Sequence, residues 1–421
     1  MNYKLATSGI SLVVSAAIVP MLAAAQTSDD YFERDGVTPV SERTAPALDP
    51  VAIPLSGLEV RPEAVFSGGL VSNVLATEAD EVDDIYVGFS PRFVLSSAWD
   101  KHAFDADAEV DHREFSDLKD ESRTNLKIKL RGRLDLGRQT HLHLKLKAAD
   151  QTEPRDALSS VPSALEPNEY SALGGAIGLE HQSGRIRLTT DLALSEYDYD
   201  DAELSGDLFQ DQDFRDHSAL TASARLAYAL DRNVAVYTDV KHTEADYDPA
   251  NFFSAFNRDS SGTVILLGTD FALGESISGE VGVGYQYYTY DDPAFDDISD
   301  FAFAGNVDVS LAPRTTLSLA AERKVIDPGT ALSNAAIETG GRVILEQGLT
   351  RKLFLSGEAG LKQYAFETVD RDDDRVDLKL AANWKINPSI WLEGGYQVTD
   401  QSSDVQEFTD NRVLIRMRIF P

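Results

Sequence analysis

The sequence predicts an all-β chain: a transmembrane antiparallel β-barrel of about 18 strands, within roughly 16 to 18. Three observations carry this. The chain opens on an export leader, its hydropathy then alternates with period two almost to the end, and its connections alternate between short and long.

The leader is residues 1–25. Met1-Asn2-Tyr3-Lys4 is a charged start, Ile10 to Val19 is mostly apolar, and Ala23-Ala24-Ala25 is a small-residue end, so cleavage is expected after Ala25. Ser11, Ser15 and Pro20 interrupt the stretch, which falls short of the ~20 apolar residues of a spanning helix. No later apolar run reaches that length either, so only a closed barrel is left as a way across a bilayer.

Composition narrows the function classes. There is no Cys, which excludes disulfides, thiolate metal sites and a lipid anchor on a cleavage-site Cys. Seventy acidic residues against 38 basic ones give a net charge of −32, and no nucleic-acid partner is expected because phosphate contacts need clustered Lys and Arg. Such acidity could signal disorder, but 43% hydrophobic residues with 15 Tyr and 19 Phe argue for a folded chain.

Residues 26–56 carry Pro39, Pro46, Pro50 and Pro54 and no period, and are expected as a flexible periplasmic N-terminal arm. The barrel is then 57–421. Ile85, Val87, Phe89, Phe93 and Leu95 fall on one face of a strand, with Tyr86, Ser90, Arg92 and Ser96 on the other. Leu126, Ile128, Leu130 and Leu134 alternate with Lys127, Lys129, Arg131 and Arg133. Leu142, Leu144 and Leu146 alternate with His141, His143, Lys145 and Lys147. Val376, Leu378, Leu380, Ala382, Trp384 and Ile386 oppose Asp377, Lys379, Asn383 and Lys385. Short turns at Gly137-Arg138, Gln182-Ser183-Gly184 and Asn387-Pro388-Ser389 trade places with longer acidic loops, the pattern of periplasmic turns and external loops. A soluble β-sandwich also alternates, but it needs a core of large side chains where this sequence places whole charged strand faces. The end, Arg412 to Pro421, reads as the closing strand, with Phe420 on the Arg-bearing face.

The polar faces hold the candidate site. The ladder Lys127, Lys129, Arg131, Arg133 with His141, His143, Lys145, Lys147 is expected to line the lumen as a cationic wall. The preceding strand offers Asp105, Asp107, Glu109 and Asp111, an acidic ladder that could pair with the first across the strand gap. Pairing for stability and guidance of anions both stay open, and they are compatible. Arg412, Arg416 and Arg418, and Arg185 and Arg187 near a short turn, add positive charge. The acidic runs Glu196–Glu203 and Arg371–Asp374 lack the spacing of a defined calcium loop, so solvated acidic loops are expected rather than a metal site. The seven His are scattered with no nucleophile elbow and no H-E-x-x-H, so neither catalysis nor a cofactor is expected.

Several stretches resemble the β-barrel porin type 2 family. They are Gly57-Leu58-Glu59-Val60-Arg61-Pro62 running into Ser72-Asn73-Val74, Asn257 to Gly262 after Tyr247, Gly282-Val283-Gly284-Tyr285, Ala321 to Pro328, and Asn387-Pro388 before Gly395-Tyr396 and Ser402. Their order covers nearly the whole mature chain. The resemblance implies an outer-membrane barrel serving as a passage in exopolysaccharide production and export, beside periplasmic polysaccharide-export proteins, with no catalytic residues to carry over. Outer-membrane lipid, lipopolysaccharide and the barrel assembly machinery are the other expected partners. The expected function is passage of a polysaccharide or another hydrophilic, anionic solute, with Tyr86, Tyr237, Tyr288, Tyr290 and Trp391 facing inward to stack on sugar rings. The alternative is a structural or adhesive barrel with a plugged lumen and working acidic loops.

Overall fold

The protein is described by a computed structural model over residues 31–248, 256–331 and 333–421; the expected leader, 1–25, lies outside the described residues. A short strand, β1 (Ile53–Leu55), precedes β2 (Leu58–Val71), β3 (Asp84–Ser97), β4 (Ala103–Phe115), β5 (Arg123–Asp135), β6 (Thr140–Thr152), β7 (Glu169–Ser183) and β8 (Ile186–Tyr199). A small hairpin, β9 (Ala202–Leu204) and β10 (Leu208–Gln210), stands apart. The ring continues with β11 (His217–Ala229), β12 (Val234–Tyr247), β13 (Ser260–Leu273), β14 (Ile277–Tyr290), β15 (Ile298–Ala312) and β16 (Thr315–Ile326). It ends with β17 (Ala336–Gly348), β18 (Leu353–Phe366), β19 (Asp372–Asn387), β20 (Ile390–Ser402) and β21 (Phe408–Ile419).

The strands β2–β8 and β11–β21 form one closed antiparallel barrel of 18 strands, each paired with its sequence neighbours, β8 with β11 and β21 with β2. The seam between β2 and β21 holds eight residue pairs, Ala64↔Ile419 to Val71↔Arg412, where β2 and β3 share fourteen. No helix among the described residues is long and apolar enough to cross a membrane. Every barrel strand except β4 instead presents exposed large apolar side chains outward, among them Ile128, Leu146, Leu194, Val283 and Leu380, and β4 continues the belt with Ala106, Ala108 and Val110. An uninterrupted belt of that kind suits acyl chains and not water. Trp99, Tyr228 and Trp384 mark one rim of the belt, and Tyr285, Tyr287 and Phe301 the other, as aromatic girdles do.

One end of the barrel carries short turns together with the N-terminal arm and the C-terminus. The other carries the long loops 72–83, 153–168 and 200–216. The structure corrects the expected arm in two ways. The sheet starts at Ile53, because β1 pairs with β2 through Ile53↔Val60, Pro54↔Glu59 and Leu55↔Leu58. Residues 34–49 also do not hang free but run along the inner wall of the short-turn rim. They stay outside any ladder; a 3₁₀ turn at Val40–Glu42 and a turn at Ala45–Asp49 satisfy some main-chain donors within the arm, and others turn to side chains of the wall. Val37 N–H donates to Ser278 Oγ at 2.8 Å, Val40 N–H to Thr316 Oγ1 at 3.1 Å and Ser41 N–H to Glu346 Oε2 at 3.0 Å. Two ion pairs fix the ends, Arg34–Asp270 at 2.8 Å and Lys385–Asp49 at 3.0 Å, and Trp391 Nε1 donates to the Leu48 carbonyl at 3.0 Å.

Candidate functional site: the charged lumen wall

The register of β4, β5 and β6 decides what the two ladders do. Asp105 lies opposite Arg131, Asp107 opposite Lys129 and Glu109 opposite Lys127, while Asp111 faces Asn125. On the far side Lys129 lies opposite Lys147, Arg131 opposite Lys145, Arg133 opposite His143 and Asp135 opposite His141. All twelve expected residues therefore share one face of three adjacent strands, the face turned away from the apolar belt.

Register alone would pair acid with base, but two of the acids have other partners. Asp107 takes both arms of Arg92 on β3, at 2.9 and 2.7 Å. Asp111 binds Arg113 at 3.1 Å and accepts from Ser90 Oγ. On the lower part of the wall Asp135 takes Arg133 at 2.9 Å and His141 Nδ1 at 2.7 Å, and Asp191 takes Lys145 at 3.2 Å. That leaves Lys127, Lys129, Arg131 and Lys147 without an ion pair or hydrogen bond among the described residues, and His143, Asp105 and Glu109 likewise. Arg123, which the sequence reading did not single out, is a fifth unpaired cation on this face. Arg92 and Arg113 were the missed partners. Arg92 sits on the inward face in the alternating run of β3, yet only the register with β4 shows which carboxylate it claims.

The other basic residues noted in the sequence are engaged. Arg416 pairs with Glu393 at 3.1 Å, Arg418 with Glu63 at 2.5 Å, and Arg412 with Asp410. Arg187 lies over the Phe32 ring at 4.4 Å, and Arg185 over Tyr31.

Above the basic wall the loop 153–168 turns into the barrel and is tied across it. Arg375 on β19, nearly opposite β6, binds Asp156 Oδ2 at 2.7 Å and donates to the Asp156 carbonyl. Burial alone would raise the Asp156 carboxyl, but the Arg375 guanidinium, with Arg412 behind it, holds it below the usual carboxylate range. Arg155 pairs with Glu121 at 2.6 Å, Glu153 pairs with Arg215, and Gln406 Nε2 donates to the Arg155 carbonyl. Beneath this loop lies a cavity of 410 Å³, with Arg113, Arg123, Lys127 and Lys129 on one side and Lys362 and Tyr364 on the other. Its edge is the segment Asp327 to Gly329.

The inward aromatics are not free to stack on a ligand. Tyr237 is 7% exposed, lies 3.6 Å from the Arg225 guanidinium and fills the space left by Gly268 and Gly282, where an added Cβ would meet its ring. Tyr86 is packed on Phe115 and Arg113, and Tyr288 and Tyr290 pack into an apolar cluster with Ile298, Ala335 and Ile337. Trp391 sits between Lys385, Arg418 and Phe420.

The acidic runs also resolve. Asp201, Asp211 and Asp213 bring carboxylate oxygens within 4.8 Å of one another, but Asp201 and Asp211 accept main-chain N–H donors from Gln212 and Asp213. Arg371 pairs with Asp373 inside the other run.

Comparison with known proteins places residues 45–420 within the family described as Putative beta-barrel porin 2. No curated protein matches the chain. Similar solved structures include OccK2 (OpdF) of Pseudomonas aeruginosa in complex with glucuronate, at 10% identity and a TM-score of 0.48, covering 86% of this chain and 98% of that one. OpdK of Pseudomonas aeruginosa follows at 11% identity and 0.46, covering 86% and 99%. A BenF-like porin of Pseudomonas fluorescens Pf-5 gives 13% and 0.45, again covering 86% and 99%.

Proposed function

This chain belongs to the beta-barrel porin 2 family and is an outer-membrane barrel, and from that premise we propose that it is a channel for small hydrophilic anions moving along the wall formed by β5 and β6. The short-turn end is then the periplasmic mouth and the long-loop end the external one. One observation carries the proposal: Lys127, Lys129, Arg131 and Lys147 stand together without a direct ion pair, because Arg92 and Arg113 hold Asp107 and Asp111 while Asp105 and Glu109 stand opposite Arg131 and Lys127 without bonding to them. Unpaired charge on a concave, water-lined wall raises the local concentration of opposite charge and sets ion preference. Neutralised pairs would leave little field behind. Passage of a polysaccharide has less support, because Tyr86, Tyr237 and Trp391 already hold protein partners. No catalytic step is proposed.

The test is the reversal potential of single channels in a planar bilayer under a KCl gradient. The unaltered protein is expected to prefer Cl⁻. Replacing Lys127, Lys129, Arg131 and Lys147 together by Gln should shift the reversal potential toward K⁺ without preventing assembly. An unshifted potential would remove the guidance reading. The tethered loop 153–168 is what a closed barrel would need, so absence of any steady current would favour the plugged, structural alternative.

A further inference from the structure

The arm and the basic wall occupy different arcs of the barrel: the arm lies at the short-turn mouth, while the unpaired cations of β5 and β6 stand on another arc from mid-strand toward the loop 153–168. Around the ring, residues 34–49 hold to β13, β14, β16, β17, β19 and β20. Among the described residues, none of their hydrogen bonds or ion pairs reaches β3, β4, β5 or β6, and β5 and β6 carry most of the unpaired lumen cations, with Lys379 on β19 standing apart from them. What the arm covers is largely acidic. Asp270 is paired to Arg34, Glu346 accepts from Ser41, and Glu42 of the arm lies beside Glu346 and Asp308. Both ends are anchored by ion pairs, and β1 pins the exit of the arm to β2. A mere linker would leave its donors to water; here Val37, Val40 and Ser41 give theirs to the wall.

We propose that residues 34–49 are a selectivity collar: they fill the acidic arc of the periplasmic mouth and leave the solute a path over the basic arc. The proposal rests on the anion-guidance reading above. A chain laid against a sheet takes up about 10 Å, the spacing of packed layers, so the collar both narrows the mouth and shifts its open part toward β5 and β6. It also shields carboxylates that would otherwise face the permeating ion.

The experiment compares the full chain with a variant in which residues 34–49 are replaced by a Gly/Ser linker of equal length, both exported and inserted in planar bilayers under a KCl gradient. Conductance should rise roughly twofold as the mouth widens, and the reversal potential should move toward K⁺ as the acidic arc is uncovered. Unchanged conductance and selectivity would overturn the proposal. A rise in conductance with no shift in selectivity would reduce the arm to a constriction and overturn its selective role. If the linker variant fails to assemble, Arg34→Ala with Asp49→Ala removes both anchors and should move both readouts the same way to a smaller extent; no movement in either would overturn the proposal. Seating is tested separately. A Cβ on Gly36 would lie 3.2 Å from that of Ser278, close to disulfide range, and the chain has no other thiol. Gly36→Cys with Ser278→Cys should therefore cross-link on oxidation and keep the parent conductance; failure to cross-link would show that the arm is not seated. The Gln variant of the wall keeps the two ideas apart. If it leaves the reversal potential unmoved while the linker variant raises conductance, the guidance reading fails and the arm's control of the mouth stands.

Discussion

Neighbouring residues on β5 face opposite media, and the period of two makes each residue's medium a matter of parity. Ile128 is exposed on the apolar belt, while Lys127 and Lys129 project from the other face. Charge should therefore be tolerated very differently one position apart. Ile128→Arg places a guanidinium near mid-bilayer and is expected to cost about 2–4 kcal/mol, whereas Lys129→Gln should leave unfolding nearly unchanged. Urea titration of the heat-modifiable form in vesicles measures both. If Ile128→Arg were silent and Lys129→Gln destabilising, the two faces would have been exchanged.

At the level of elements, the loops at the external end are docked by buried charge. Arg375 and Asp156 have side chains 5% and 3% exposed, so removing one partner strands the other in a dry place. Arg375→Ala is expected to cost on the order of 3–5 kcal/mol of loop docking and to free residues 153–168 for limited proteolysis, while the barrel stays heat-modifiable. The loop before β11 adds a pH response. Burial pushes the Asp216 carboxyl up to about 6; the Tyr199 N–H donor opposes this, and Asp198, Asp213 and Asp248 reinforce it. A carboxyl raised above its unfolded value of ~3.9 favours the folded loop when protonated, so docking strengthens as pH falls from about 6 toward 4 and weakens as pH rises through 6. Amide protection factors across 200–216, corrected for the intrinsic pH dependence of exchange, should be higher at pH 5 than at pH 7.5, and Asp216→Asn should flatten the difference. How legible these elements were in the sequence follows from separation along the chain. Alternation within a strand is local, so Leu126, Ile128 and Leu130 announced both a strand and its outer face. What settles the site is not local: whether Asp107 goes to Lys129 or to Arg92 depends on the register of two hairpins at once. The arm was misjudged as flexible because its partners, from Asp270 to Trp391, lie more than 200 residues away.

For the whole molecule, an acidic chain with net charge −32 is proposed to carry anions, and the resolution lies in placement. Carboxylates crowd the external loops and pair with lumen arginines, while most of the unpaired lumen cations stand together on the arc of β5 and β6. Such a local preference should depend on salt. Screening lengths fall from about 10 Å at 0.1 M to about 3 Å at 1 M, so a field reaching across an open lumen fades while contact pairs persist. The Cl⁻/K⁺ permeability ratio is therefore expected to approach unity between 0.1 and 1 M KCl. A ratio constant over that range would point to direct binding sites in place of a general wall potential.

The β2–β21 seam has a consequence for how the chain is made. A sheet rolled from one sequence has two free edges until its first and last strands meet, and here the meeting joins Ala64–Val71 to Arg412–Ile419. Before that contact neither edge has a partner, and every intermediate exposes unpaired main chain that a bilayer cannot accept. Closure of the ring is thus a late event bridging the full contour of the barrel, with the entropic penalty of its longest loop. Loss of the final strand would not give a seventeen-stranded pore in waiting; it would give an open ribbon with two adhesive borders, suited to aggregation or to proteolysis.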